Sequence, residues 1–534
     1  MRKLICCLSA IFLLACRGEK PKTDNAIDAA QKILQQNDRW RFYFEENRIN
    51  RLLFALSQQY TPKTVAFMNV NLISMAVDSV AINQTVIVEG GLIKFIGSLA
   101  SMKIPPPAVK IDGTGKYLIP GLVDMHVHTT TSKSQDLLNL AKGITTVRDL
   151  CGFPWMLKSR AQIRANKLLA PNLYLSGPLL NAFKMEIYGE SARTPEDGRR
   201  LVREHKQAGY DFIKVHNNLK FKVYQALLEE AAKENIPVVG HVPHDIKIAD
   251  AIALGQRTFE HFKGYYLDKT LEMTDEDYAA LTDNANVWNC PTFYTYRLGL
   301  RGKEAGDLIT QREEMKYVSA YDKQQWLKTF EYSENGNAAL KVYEMSKEIF
   351  KNLLRVKARF VAGTDCGGGY AMMVPGFALH EELRIMEQNG MSPVEVLKTA
   401  TVNAAEAMNR REEFGAIEIG KRADVVLLGK NPLELTAHLS QIRGVMVRGI
   451  WLPQNEIEAI LQQVENIYKH EGDSLIVGAP SSETINDLIK SALTLHEQGF
   501  IFMDHHLDEL AKLLNEYQRT ADARKLQDLR TVNY

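Results

Sequence analysis

The sequence predicts an α/β protein. It is read as a (β/α)8 TIM-type barrel over residues 120–410, a small β-sandwich domain built from segments on either side of it, and helical extensions at both ends. Three observations predict this. Eight short apolar, strand-like runs follow Pro120 with amphipathic helical stretches between them, and eight is the number that closes such a barrel. β-rich runs with turn signals lie on both flanks of that region. The 534 residues exceed what one core ordinarily serves, whereas a barrel of about 250 residues leaves room for both flanks.

The elements follow in order. Arg2 and Lys3 precede an apolar run from Leu4 to Ala15, the layout of a secretory signal and too short to span a bilayer. It ends in Leu13-Leu14-Ala15-Cys16, which resembles a bacterial lipobox, so residues 1–16 are expected to be a signal with Cys16 as the lipidated residue. Simple cleavage is the alternative. Export and a lipid anchor facing the periplasm or cell surface follow as the expected location. Residues 17–61 read as a helical spacer, with Ile27, Ile33 and Leu34 at helical spacing. Residues 62–119 change to short β-rich runs, Thr64–Phe67, Gln84–Val88 and Leu92–Ile96, with Gly90-Gly91 as a hairpin signal.

Within the barrel the strand runs are Leu122–His126, Ile144–Arg148, Asn172–Ser176, Phe212–Val215, Ile236–His241, Arg257–His261, Asn286–Pro291 and Arg359–Thr364. Pro195–Ala208, Phe221–Asn235 and Ala339–Lys357 are helix candidates between them. The stretch from Pro291 to Arg359 is far longer than one crossover helix needs. It starts on the face where barrel active sites lie, so it reads as a lid or substrate-binding element. Residues 411–455 return to β-like runs, Gly415–Leu428 and Ile442–Leu452, completing the flanking domain. Residues 456–534 form a helical extension with Leu507, Leu510, Leu513 and Leu514 at helical spacing.

Composition narrows the function. With 65 basic and 64 acidic residues the formal net charge is +1, which gives no electrostatic reason to expect nucleic acid as a partner. A small-molecule substrate is expected instead, and homo-oligomerisation is left open. Of six cysteines, Cys6 and Cys7 leave with the signal and Cys16 takes lipid. Cys151, Cys290 and Cys366 are scattered and odd in number, so they read as buried thiols and not as a disulfide framework.

The polar residues at strand ends carry the chemistry. Gly121–His128 reads GLVDMHVH, and period-2 parity puts Asp124, His126 and His128 on the interior face. Lys214 ends the fourth strand, His241 the fifth, His261 the sixth and Asp365 the eighth. A lone interior histidine is ordinarily satisfied core. Four histidines, an aspartate and a lysine converging on one rim are costly to bury without a cation. Imidazole and carboxylate suit zinc, nickel, iron or manganese. An ammonium repels a metal, so nearby dications would favour a deprotonated Lys214.

In this order GLVDMHVH, DFIKVH, GHV, EHF and AGTD resemble the amidohydrolase superfamily, its imidazolonepropionase-like and Xaa-Pro dipeptidase-like members above all. The resemblance runs from about Thr64 to Leu452 and includes GAIEIGKRADVVLL. It implies two divalent metal ions, zinc first among them. His126 and His128 would hold one with Asp365, His241 and His261 would hold the second, and Lys214, carboxylated by carbon dioxide, would bridge both. Imidazolonepropionases lack this lysine and bind one metal, so Lys214 moves the reading toward the two-metal, peptidase-like branch.

The expected reaction is hydrolysis of a C–N bond, an amide in a dipeptide or an N-acyl or otherwise modified amino acid. A water activated by the metals attacks the carbonyl, and Asp365 carries its proton to the leaving nitrogen. His216, which shares parity with Lys214, and His244 and Tyr294 on following loops are candidates for substrate contact. Alternatives within the superfamily are a cyclic-amide hydrolase or a deaminase. From a different class stands a catalytically silent binding protein of the cell envelope.

Overall fold

The computed structural model describes residues 45–531, apart from 102, 130–131, 184–188, 268–269, 272–280, 282–285, 299–306, 308–310, 332–335, 368–371, 470–481, 498–503 and 517–518. The expected signal, Cys16 and most of the spacer lie outside the described residues. Among those described, no helix is long and apolar enough to cross a membrane. The chain divides into two compact units, the larger being Leu53–Met315 with Trp326–Gln463.

That unit begins with β1 (Val65–Leu72), β2 (Ala81–Glu89), β3 (Leu92–Gly97), β4 (Val109–Asp112) and β5 (Tyr117–Pro120). The β2–β3 hairpin turns on Gly90 and Gly91, whose φ values of 59° and 76° suit the tight turn that matches strand twist. Eight parallel-sheet segments follow. Seven are β6 (Leu122–Val127), β7 (Ile144–Asp149), β8 (Asn172–Leu175) extended by β9 (Leu179–Asn181) and β10 (Gly189–Ser191), β11 (Ile213–Val215), β12 (Val238–Gly240), β13 (Thr258–Glu260) and β14 (Trp288–Cys290). The chain then returns to the flanking sheet with β15 (Val425–Leu428), β16 (Ile442–Val447) and β17 (Ile450–Pro453).

The two flanking segments share one eight-stranded sheet, in the order β17-β16-β15-β5-β1-β2-β3 with β4 beside β1. Strands β5 and β15 join them, pairing Pro120 with Val425 and Leu118 with Leu427. Alternate residues Val65 and Phe67, Val86 and Val88, and Val425 and Leu427 pack into one core. Phe67 meets Trp451 edge to face at 5.0 Å. The strands belong to a single hydrogen-bonded sheet.

In the parallel part, β6-β7-β8 form one ladder and β10-β9-β11-β12-β13-β14 another. Isolated parallel bridges link Ser176 to Phe212, Asn289 to Phe360 and Val127 to Cys366. Each segment thus pairs with the next, and the eighth pairs back with the first. The expected eighth strand, Arg359–Thr364, is present only as these single bridges. Register is set by apolar burial. Val123 and Met125 pack with Ala404, Ala405 and Met408, while Asp124 and His126 take the opposite face. A one-residue slip would exchange those faces, forfeiting about 1.5–3 kcal/mol for each large apolar side chain exposed.

The helix expected at Pro195–Ala208 has those bounds. Thr194 and Asp197 form a capping box, Pro195 occupies the first turn, and Gly209 ends it at φ 90°. Phe221–Lys233 and Gly336–Arg355 realise the other two expected helices within a few residues. The smaller unit gathers residues up to 52, 316–325 and from 464 onward. Its helices Ser482–Glu497, Asp504–Glu516 and Thr520–Thr531 bury Leu488, Leu510, Leu513, Leu514 and Leu526 together. Residues 45–52 join this unit, where Asn47 Nδ2 donates to Leu488 O at 3.4 Å. Of the expected spacer, residues 45–52 therefore share one unit with the C-terminal extension.

Candidate metal centre

β6 delivers the first two histidines. Asp124 accepts from the backbone N–H groups of His126 (3.2 Å) and Thr364 (3.1 Å) and from Thr364 Oγ1 (2.8 Å), tying the eighth segment to β6. This brings Asp365 against them: its Oδ1 lies 3.0 Å from His128 Nε2 and 3.3 Å from His126 Nε2. Asp365 sits at φ 62°, a left-handed conformation that is costly for a non-glycine residue and turns the side chain inward.

The other ligand candidates arrive from β11, β12 and β13. Lys214 is buried, with Nζ 3.5 Å from His126 Nε2. His261, at φ 62°, stacks 4.7 Å from His126 and places Nε2 3.9 Å from Asp365 Oδ2. His241 lies 5.0 Å from His261, ring to ring. Three of these histidines engage Nδ1 with a protein oxygen: His126 with Glu260 (2.9 Å), His241 with Asn217 (2.6 Å) and His261 with Thr292 (2.6 Å).

All six expected residues converge. Of the three candidates for substrate contact, His216 joins them, its ring 4.3 Å from His241 and its Nδ1 buried without a partner among the described residues. His244 is exposed, its backbone N–H donating to Asn217 O, the residue whose side chain meets His241. Tyr294 is buried under Arg312, 5.7 Å from its ring centroid, with its backbone N–H on Glu382. The tyrosine whose ring faces His261 is Tyr296, at 6.4 Å.

The electrostatics suit a cation. Burial, then the charges of Lys214, His128 and Arg148, hold His126 well below the usual histidine range. Burial and neighbouring basic groups do the same to His241. For His261 burial outweighs the opposing pull of Asp365. Burial raises Asp365, but the charges of His261 and His128 and the His128 hydrogen bond outweigh it and keep the carboxylate ionised. Burial also lowers Lys214. His128 is the exception: burial opposes its charge, yet hydrogen bonds to Asp365 and Cys151 push it up to about 10. Two ligands at about 2.1 Å on a tetrahedral centre lie roughly 3.4 Å apart. The His–Asp365 separations of 3.0 and 3.3 Å fit that spacing, so His126 Nε2, His128 Nε2 and Asp365 Oδ1 could hold one ion.

Residues 117–452 match the amidohydrolase family. The chain belongs to that family. This amidohydrolase is 24% identical over 451 residues to the 5-methylthioadenosine/S-adenosylhomocysteine deaminase of Caldanaerobacter subterraneus, covering 75% of this chain and 95% of that one. It is 23% identical over 368 residues to the imidazolonepropionase of Fusobacterium nucleatum, covering 65% and 84%. Its fold resembles a Xaa-Pro dipeptidase crystallised with methionine in the active site, at a TM-score of 0.58 and 20% identity, over 73% of this chain and all (100%) of that one. The parallel part is accordingly a TIM-barrel-like domain, and the chain is a metal-dependent amidohydrolase acting on C–N bonds.

Around the candidate ligands of this amidohydrolase stand residues that the sequence reading did not single out. Glu260 is fully buried between His126 and Arg148, whose Nη2 donates to Glu260 Oε1 at 2.8 Å. Thr258 Oγ1 donates to the same oxygen at 2.6 Å, and Cys290 brings its sulfur near Glu260. Burial would raise the Glu260 pKa, but Arg148 and Lys214 hold it below the usual range. Cys151, Cys290 and Cys366 are buried thiols in no disulfide among the described residues, as expected.

Proposed function

We propose that this amidohydrolase hydrolyses an amide bond in a dipeptide or an N-acyl or modified amino acid, using two divalent cations, zinc by preference. The observation that carries this reading is Lys214, buried beside His126 and on the strand between the two histidine pairs. With its pKa lowered by burial, its amine is available to add carbon dioxide, which would release a proton and leave a carbamate able to serve as a further oxygen ligand. His126, His128 and Asp365 would hold one cation, and His241 with His261 the other. Bound there, the cations supply a water of lowered pKa and polarise the scissile carbonyl. Asp365 then takes the proton from the water and passes it to the leaving nitrogen. His216 contacts the substrate from beside His241, and Tyr296 takes the place expected of Tyr294.

Deamination is the second reading, favoured by the 24% identity to a deaminase. The ring of paired segments is read as a closed barrel over residues 120–410, with 62–119 and 411–455 as its flanking domain. Export with a lipid on Cys16 places the enzyme at the envelope, where peptides and scavenged nutrients are at hand. Metal analysis of the purified chain, with 13C NMR after labelled bicarbonate, tests the proposal. About two metals and one carbamate signal per chain are expected. One metal and no carbamate would favour the deaminase reading.

A further inference from the structure

We infer that Glu260, held by Arg148 and Thr258, is the positioning residue that keeps the proton of His126 on Nδ1 and so presents Nε2 to the cation shared with His128 and Asp365. The inference rests on the reading of His126 as a metal ligand and goes beyond it by assigning the control of that ligand.

The geometry is a chain of contacts across the barrel interior. Glu260 Oε2 lies 2.9 Å from His126 Nδ1, while Nε2 on the far side of the ring lies 3.3 Å from Asp365 Oδ1. Glu260 Oε1 accepts from Arg148 Nη2 at 2.8 Å and from Thr258 Oγ1 at 2.6 Å. With Oε1 engaged by a charged and a hydroxyl donor, Glu260 turns Oε2 to His126 as an acceptor, and the ring nitrogen facing it carries the proton. Arg148 works on the same residue a second way. Its Nε donates to Met125 O at 2.6 Å, fixing the backbone immediately before His126, and its Nη1 reaches Thr258 Oγ1 at 3.1 Å.

Two other roles fit the contacts less well. A purely structural ion pair is a poor explanation, because Arg148 and Glu260 are both 0% exposed. Taking both charges out of water costs several kcal/mol each, and a well-packed apolar pair in their place is often neutral or stabilising. Direct ligation is the second. His126, Glu260 and Cys290 do bring candidate ligand atoms within 4.8 Å of one another. A cation there would have to strip the proton from His126 Nδ1 and compete with Arg148 and Thr258 for the carboxylate. A carboxylate on the far nitrogen of a metal-bound histidine instead fixes tautomer and orientation and raises ligand basicity, and its loss costs about 10–100-fold in metal affinity.

Cobalt titrations of the metal-free full chain test this, followed by calorimetry and by the visible spectrum. Three proteins are compared: wild type, Glu260→Gln, and the paired change Glu260→Leu with Arg148→Met. The paired change leaves no lone buried charge if the single variant fails to fold. The expected order of affinity for the first cobalt is wild type, then Glu260→Gln, then the paired variant, the last weaker by about 10–100-fold. The metal-free paired variant should melt at or above the wild-type temperature. A folded paired variant with wild-type affinity overturns the inference alone. A sulfur-to-cobalt charge-transfer band in the wild type, lost in Cys290→Ser, overturns it by making Glu260 and Cys290 the ligands. A wild type that takes up no cobalt overturns the metal reading of His126 and the inference with it.

Discussion

Replacing Gly240 with alanine tests how the backbone sets Lys214 and His241 side by side. Gly240 ends β12 at φ 125°, a conformation that L side chains rarely adopt, and is paired with Val215 of β11. A Cβ there would lie 2.3 Å from the Val215 carbonyl oxygen, 2.9 Å from Lys214 Cδ and 3.0 Å from the Val215 nitrogen. The same carbonyl accepts from the His241 N–H at 3.1 Å, so parting the strands breaks that bond. The backbone conformation costs about 1–3 kcal/mol, the lost hydrogen bond about 1, and the overpacking about 1–3. A total of about 5 kcal/mol lowers the melting temperature by roughly 15 °C, at about 2–4 °C per kcal/mol for a domain of this size. Circular dichroism melts of the metal-free chain read it directly. A Gly240→Ala protein melting within about 2 °C of wild type would refute the reasoning.

Asp365→Asn should lower kcat by about a hundred- to ten-thousand-fold while the protein keeps much of its metal, read by turnover and elemental analysis; full activity would sink the proton-transfer role. His128, at about 10, is protonated at neutral pH in the metal-free chain. Zinc titrations in buffers of different ionisation heat should therefore show release of at least about one proton, and none would contradict the assignment. Glu382 accepts from the Phe293 and Tyr294 N–H groups, and burial pushes its pKa up to about 8 from 4.5. Between those values the folded chain binds more protons than the unfolded one, so this group's contribution to stability falls as pH rises through the window. Glu382→Gln should flatten that part of the melting-temperature profile; an unchanged slope would count against it.

What the sequence made legible follows from local rules. Thr194, Pro195, Asp197 and Gly209 carry start and stop signals whose chemistry is complete within the helix they bound, so its ends read correctly. The ligand candidates come together because strand ends on one rim of a barrel converge whatever the loop detail. Glu260 was missed for a specific reason. Period-2 parity allows one of Glu260 and His261 to face the interior, but the left-handed backbone at His261 breaks the alternation and turns both inward. Asp365 carries the same irregularity, in a segment that pairs through single bridges where a regular strand was expected. The five-residue helix Phe293–Arg297 is too short to leave a periodic signal, which is why Tyr294 was singled out and Tyr296 was not. Arg148 gave no signal either, because its partner lies 112 residues away in the sequence.

The central claim is metal-dependent amide hydrolysis. Its most direct test is amine release from a library of dipeptides and N-acyl amino acids, measured on zinc-loaded enzyme, after chelation, and after metal is restored. The account predicts release from at least one class, abolished by the chelator and recovered with metal. No release from any member by enzyme carrying its full metal complement, or ammonia release from an aminopurine instead, would contradict it.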